Sequence, residues 1–266
     1  MAEETKEYLY DMHAHLDYAP KPVALASELE ARGVRTLSCT VQPPSFARAS
    51  RELHASENVR VAAGLHPWWT ADATGSAGSA ILRVNSLIEY LAITPYVGEI
   101  GLDFREQYVN CRDIQLVVFE DILYASGKIG GKTISIHCIG AYTDLFDLAE
   151  KTGALENNTL IIHHFCGSCD ELHRAIEMGF YFSVSEEMLD TGKGAEYAKV
   201  IPADRLLLET DAPDMPVVGK RDTRETGDIA DAMTASLKNT LVRLEEIRGE
   251  SLAAQIAETS ARLLMY

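Results

Sequence analysis

Along the chain, short runs of β-branched and aliphatic residues alternate with longer stretches that carry an apolar residue every three or four positions. The first pattern reads as strand and the second as amphipathic helix. Eight runs predict strands: EYLYDMHA at 7–14, RTLSCTV at 35–41, VRVAAGLH at 59–66, YVGEIGL at 96–102, KTISIHC at 132–138, TLIIHHF at 159–165, FYFSVSE at 180–186 and RLLLETD at 205–211. Between them, KPVALASELEARG (21–33) and YTDLFDLAEKTG (142–153) each close on glycine, a frequent helix stop. Ser168 with Glu171 three positions on forms a capping box for a helix running to Gly179. Strand and helix alternating eight times favour a closed (β/α)₈ TIM barrel over an open doubly wound sheet. No Gly-x-Gly-x-x-Gly follows the first strand, which removes support for a dinucleotide fold. After the eighth strand, the patterns at 228–249 and 251–265 predict the last barrel helix and an extra C-terminal helix packed on the barrel wall.

A length of 266 residues suits one such barrel, and no linker, repeat or low-complexity tract divides residues 1–266, so a single domain is expected. No apolar run is long enough to span a membrane, and the acidic start MAEETKEYLY lacks the features of a signal peptide, which makes the cytoplasm the expected location. A monomer is the expected state. Five irregularly placed cysteines read as reduced thiols rather than a disulfide framework. The formal charge of −16 argues against a protein that grips nucleic acid over a broad basic surface. It leaves room for a carboxylate-rich metal site that acts on a phosphate locally.

The polar residues that interrupt the apolar strands fall at their C-terminal ends: His13 and His15, His66, Glu99, His137, His163 and Asp211. In a TIM barrel those ends form the rim where active sites sit. Residues i and i+2 of a strand share a face, so His13 and His15 converge on the cavity while Met12 and Ala14 are expected to face the helices. Imidazoles and carboxylates together suit zinc, manganese or a related divalent ion. One histidine at a strand end is more often an ordinary hydrogen-bonded residue, but several on one rim reverse that balance. A carboxylate such as Glu99 or Asp211 within an apolar strand end is costly to bury unless a cation relieves it. Asp103 and Glu209 are expected to orient ligating histidines, and His54 and His173 to be solvated helix residues. His164 points away from His163 on its strand, so only one of the two can face the cavity. Cys166-Gly-Ser-Cys169 at a helix start has the spacing of a thiol-redox motif.

DMHAHLD (11–17), GLHP (64–67), VGEIGLDF (97–104), ISIHC (134–138), IIHHFCGS (161–168) and LLLETDAP (206–213), in this order, resemble the TatD-like metal-dependent hydrolases of the amidohydrolase superfamily. The resemblance runs from Asp11 to about Leu264. It implies two divalent ions of zinc, manganese or magnesium: His13, His15 and Asp211 on one, His137 and His163 on the other, and Glu99 between them. It selects His163 over His164, and implies that His66 contacts substrate and that Lys220 and Arg221 meet a phosphate. Relatives commonly continue the fifth-strand histidine as His-Ser-Arg-Asp-Ala, where this chain has His137-Cys138-Ile139-Gly140-Ala141. They often have threonine at Cys166, and a second glutamine at Ile122, seven residues after Gln115. The implied activity is metal-assisted hydrolysis of a phosphodiester, exonuclease-like on single-stranded nucleic acid, with Asp211 as general base and Glu99 also catalytic. Amide, ester or lactone hydrolysis of a small molecule uses the same scaffold. A metal-binding barrel without turnover and a Cys166/Cys169 redox protein are the readings of another class.

Overall fold

The computed structural model describes residues 8–70, 77–214 and 224–265. Its eight strands are β1 (Leu9–Ala14), β2 (Val34–Cys39), β3 (Val59–Leu65), β4 (Tyr96–Asp103), β5 (Thr133–Ile139), β6 (Thr159–His163), β7 (Tyr181–Val184) and β8 (Leu206–Leu208). Each pairs in parallel with the next, in chain order. Closure comes just beyond β8, where Asp211 N donates to His13 O (2.9 Å) and His15 N to Ala212 O (2.9 Å). The result is the (β/α)₈ barrel that the alternation predicts.

Helices cover the outside: α1 (Pro22–Ala31), α2 (Pro43–Glu52), α3 (Ala77–Leu91), α4 (Arg112–Ile129), α5 (Tyr142–Thr152), α6 (Ala154–Asn157), α7 (Cys169–Met178), α8 (Glu186–Asp190), α9 (Gly192–Val200), α10 (Thr226–Arg248) and α11 (Ala253–Leu263). Proline in the first turn opens α1 and α2, where its missing N–H costs nothing. The Ser168–Glu171 capping box starts α7, and Gly179 stops it in a left-handed conformation. Among the described residues no helix is long and apolar enough to cross a membrane.

Strand alternation divides the apolar side chains into two sets. Leu160, Ile162, Leu206 and Leu208 pack in the large cluster with the helices, whereas Ile161 and Leu207 join a small cluster inside the barrel. Tyr10 and Met12 also belong to that inner cluster. The expectation that Met12 faces the helices is therefore wrong, although Ala14 does pack in the outer cluster. The reason is a register shift in β1 between Asp11 and Ala14, which breaks the simple two-residue period.

The C-terminal helix also differs from expectation. The end of α11 does not lie only along the wall but closes the bottom of the barrel. Leu263 and Leu264 enter the inner cluster, and their carbonyls accept Thr133 Oγ1 (3.0 Å) and Tyr96 OH (2.7 Å), from the starts of β5 and β4. An interior lined by Tyr10, Met12 and Leu37 needs an apolar cover, and two consecutive leucines supply it.

Candidate metal centre

Backbone irregularities at the strand ends aim the polar side chains. Besides the shift in β1, the register breaks in β3 between Ala63 and Leu65 and in β4 between Val97 and Ile100. Gly64 sits at the first of these breaks, and a β-carbon there would lie 1.7 Å from Thr40 O. Its absence lets Thr40 reach past β3, donating from N to Gly98 O (3.0 Å) and accepting Glu99 N (2.8 Å). Gly101, at a φ of +144°, permits a similar close approach to His137 O, which a β-carbon would meet at 1.9 Å. Glu99 is thus clamped from both sides.

The two carboxylate oxygens of Glu99 divide the site. Oε2 lies 3.6 Å from His13 Nε2 and 3.5 Å from His15 Nε2, and Asp211 Oδ1 closes that half at 3.6 Å and 3.1 Å from the same nitrogens. Oε1 lies 3.0 Å from both His137 Nδ1 and His163 Nε2. His66 Nε2 is on this side as well, at 3.2 Å. All of these residues are buried except Asp211, whose side chain is 46% exposed and opens the site to solvent.

The outer ring nitrogens explain which way the inner ones are protonated. His13 Nδ1 meets Ser135 Oγ (2.6 Å), His15 Nδ1 meets Cys39 O (2.9 Å) and His137 Nε2 meets Asp103 Oδ2 (3.1 Å). His163 Nδ1 has Glu209 Oε1 at 3.9 Å, too far for a hydrogen bond, and both atoms are buried without a hydrogen-bond partner among the described residues. The carbonyl and the carboxylate hold the protons of His15 and His137 on their outer nitrogens and leave the inner ones bare, as ligation requires, and the Ser135 hydroxyl can accept from His13 in the same tautomer. His66 is the opposite case. Its Nδ1 accepts the Trp68 backbone N–H (3.2 Å), so in the neutral ring the proton is on Nε2 and points at Glu99. Burial pushes the His66 imidazole down to about 4, keeping it neutral.

The centre has a surplus of acceptors. His13 Nε2 and His15 Nε2 are 3.3 Å apart, and His163 Nε2 and His137 Nδ1 are 3.4 Å apart. Bare nitrogens at those distances repel unless a proton or a cation lies between them. The same demand shows in the titration of the side chains. Burial would lower His15, yet Asp211 and Glu99 push it up to about 9. Burial would raise Glu99, yet His66, His13, His137 and His163 hold it well below the ordinary carboxylate range. Imidazole and carboxylate donors converging from both sides of one glutamate fit a divalent cation on each side. Groups with metal-binding spacing are His13, His15 and Glu99; His66, Glu99 and His137; and His13, His163 and Glu209. The His66 proton and the position of Glu209 on the far side of His163 argue against those two as donors.

Of the other residues singled out in the sequence, His164 turns away to Ser185 Oγ (3.2 Å). His173 lies exposed on α7, and His54 just past the end of α2. Lys220 and Arg221 lie outside the described residues. Cys166 and Cys169 are free and face different tyrosines, Cys166 Sγ at 3.5 Å from Tyr142 OH and Cys169 Sγ at 3.9 Å from Tyr197 OH. Sequence reasoning missed Ser135, Trp68, Arg105 and Asp11. Asp11 accepts Thr210 N (3.1 Å) and Oγ1 (2.6 Å), tying β1 to the loop that carries Asp211. Burial pushes its carboxyl up to about 8. Gln115 holds Asp103 in place, accepting its N–H (2.8 Å) and donating to its carbonyl (3.0 Å). Only the position of Asp11, two residues before His13, offered a signal in advance.

A family model for TatD-related DNases matches residues 10–265. The metal-dependent hydrolase YabD of Bacillus subtilis is 28% identical over 264 residues, 96% of this chain and 98% of that protein. The 3'-5' ssDNA/RNA exonuclease TatD of Escherichia coli K12 is 26% identical over 209 residues, 76% of this chain and 75% of that protein. Deoxyribonuclease Tat-D of Schizosaccharomyces pombe is 34% identical, but over 116 residues that cover 44% of this chain and 37% of that protein. In the crystal structure of YJJV, a TatD homolog from E. coli K12, the fold superposes with a TM-score of 0.76 at 22% identity, covering 96% of this chain and 97% of that one. With a match across nearly its whole length, the chain belongs to the TatD-related DNase family.

Proposed function

We propose that this protein is a metal-dependent nuclease that removes nucleotides from the 3′ end of single-stranded nucleic acid, with His13, His15 and Asp211 holding one divalent ion, His137 and His163 a second, and Glu99 both. Membership of its family makes it a metal-dependent hydrolase acting on ester bonds. The observation that carries the two-ion reading is the division of the site by Glu99, one oxygen toward His13 and His15 and the other toward His137 and His163. Four imidazoles favour zinc or manganese over magnesium, which prefers an all-oxygen shell. Bound there, the ions would lower the pKa of a coordinated water and polarise a phosphoryl oxygen.

The side chains do the rest. Asp211 is held below the ordinary carboxylate range, because the hydrogen bond from His15 and the charges of His13 and His15 outweigh burial. Ionised and half exposed at the mouth, its carboxylate accepts the proton of the attacking water. His66 offers Nε2–H on the Glu99 side, placed to donate to charge developing on a phosphoryl oxygen. With a net charge of −16, the protein gains nothing from wrapping a strand, and a small site that takes only a strand end suits that surface.

The test is metal analysis of purified protein combined with hydrolysis of a 5′-labelled single-stranded DNA, in wild type and Glu99→Gln. The variant is expected to lose bound metal and at least about 10³-fold in kcat, several kcal/mol of barrier stabilisation. Full activity in excess chelator, or a Glu99→Gln variant as active as wild type, would overturn the proposal.

A further inference from the structure

Beside the metal centre, the ends of β3 and β4 display groups for which the hydrolysis itself has no use. Trp68 and Tyr108 stack with ring centroids 5.3 Å apart and planes 17° from parallel. The Arg105 guanidinium lies 5.3 Å from the Trp68 ring and 5.6 Å from that of Tyr108. Both rings are partly exposed, and the Arg105 side chain is 41% exposed. Asp103 ties this set to the centre. Its carboxylate accepts Trp68 Nε1 (2.7 Å), Arg105 Nε (2.9 Å) and Arg105 Nη2 (2.5 Å), while also meeting His137 Nε2.

These contacts orient an aromatic pair and a cation one residue away from the reacting groups. Asp103 engages only one side of the guanidinium fork, and Nη1 has no hydrogen bond among the described residues. Arginine donors left free in a fixed plane suit a phosphate. Aromatic faces suit a nucleobase of any sequence, since every base has a π-face. The β5 end alongside, His137-Cys138-Ile139-Gly140-Ala141, supplies no arginine or lysine, and Arg112, over the Phe104 ring at 4.3 Å, is paired with Asp144 (3.3 Å), so Arg105 is the cation that stands beside the Trp68–Tyr108 pair. A purely structural role, in which Trp68 and Arg105 serve only to hold Asp103, would leave Tyr108 without a task, because its ring makes no contact with Asp103 in the bonds above.

We propose that Trp68, Tyr108 and Arg105 hold the nucleotide adjoining the cut phosphodiester, the rings stacking on its base and the guanidinium meeting its phosphate. This rests on the nuclease function proposed above, and names where its substrate binds.

The experiment compares an ordinary single-stranded oligonucleotide with two others, in which the nucleotide on either side of the cut phosphate is replaced in turn by a three-carbon spacer. For wild type, the spacer at one of the two positions is expected to raise KM about five- to hundred-fold, the range of base–aromatic stacking, with little change in kcat. Tyr108→Ala should raise KM for the ordinary strand by a similar factor and no longer distinguish it from the spacer strand. Arg105→Gln should raise KM for both. Anisotropy of a labelled oligonucleotide in chelator gives the same ratios without turnover, and an unchanged Tm shows that the variants are folded. Equal KM for all three strands in wild type, or a Tyr108→Ala variant with lower kcat and unchanged KM, overturns this subsite while leaving the nuclease standing. A wild type that cuts none of the strands overturns both.

Discussion

The two ends of the barrel bury polar side chains in opposite ways. At the bottom the donors of three buried side chains meet carbonyls: Lys132 Nζ donates to Leu91 O (2.5 Å) and Thr94 O (2.8 Å), Tyr96 OH to Leu264 O (2.7 Å) and Thr133 Oγ1 to Leu263 O (3.0 Å). At the top, acceptors face acceptors, with ring nitrogens 3.3 and 3.4 Å apart around one carboxylate. A polar group answered within the chain stabilises the fold. One left facing its own kind needs something the chain does not supply. The bottom therefore holds the barrel shut, and the top is built for a ligand, in keeping with the general division of labour in this fold.

That contrast is open to a direct test at the bottom. Leu264 is fully buried and plugs the inner cluster beside Leu263. Leu264→Ala keeps the carbonyl that Tyr96 uses and removes the packing, so stability should fall by about 3 kcal/mol, in the usual range for a buried leucine. Denaturant unfolding measures this, while kcat/KM at a temperature where the variant is folded should match wild type. A variant of normal stability, or one whose metal content falls with its stability, would show that the two ends are not separate.

How far this division could be read from the sequence differs between the two ends. At the top it was largely legible, because a histidine or a carboxylate interrupting an aliphatic strand is a conspicuous break in pattern, and His13, His15, Glu99, His137, His163 and Asp211 do come together. The periodicity argument failed at Met12, where a register shift in β1 sends two neighbouring residues inward. A bulge depends on backbone contacts between strands, which no local pattern records. At the bottom, Leu263 and Leu264 look like any helical leucines, and that they seal a barrel follows only from where the chain ends up. Trp68 and Arg105 were missed for a related reason. Each follows its strand by a few residues, and its partner Asp103 is distant from Trp68 in sequence.

Asp103 sharpens the contrast from the other side, since it is a top-end residue whose bonds are all satisfied. Burial would raise its carboxyl, but hydrogen bonds from His137, Arg105 and Trp68 hold it well below the ordinary range. Its role is to keep the His137 proton on Nε2 and the lone pair of Nδ1 toward Glu99. Asp103→Asn retains the size and the Gln115 bonds to the backbone, yet presents His137 with an amide that can also donate. Metal affinity or activity should fall about 10- to 100-fold, the usual cost of losing such a partner. Isothermal titration with zinc reads the affinity. If Asp103→Asn binds metal as wild type does, the His137 tautomer is set by something else.

The smallest expected effect lies at the bottom, where Glu245 at the end of α10 caps the helix that carries the plug. Its Oε1 accepts Leu252 N (2.7 Å), Ala253 N (3.2 Å) and Ser251 Oγ (3.1 Å), serving α11 as its missing N-cap side chain, since Leu252 has none. Glu245→Ala should cost about 1 kcal/mol, as loss of a cap does. The Leu252 N–H, with Ala253 and Ser251, holds the Glu245 carboxyl below its ordinary value. A carboxyl lowered in the folded state stabilises fully above its unfolded pKa and loses that contribution as pH falls through the folded one. The stability difference between wild type and Glu245→Ala should therefore be constant at neutral pH and shrink in acid. Unfolding curves from pH 7 down to about 3 would show this, and turnover at neutral pH should not change. A difference that grows toward acid would mean the protonated carboxyl is the better cap, and that the plug helix is held by hydrogen bonding rather than by charge.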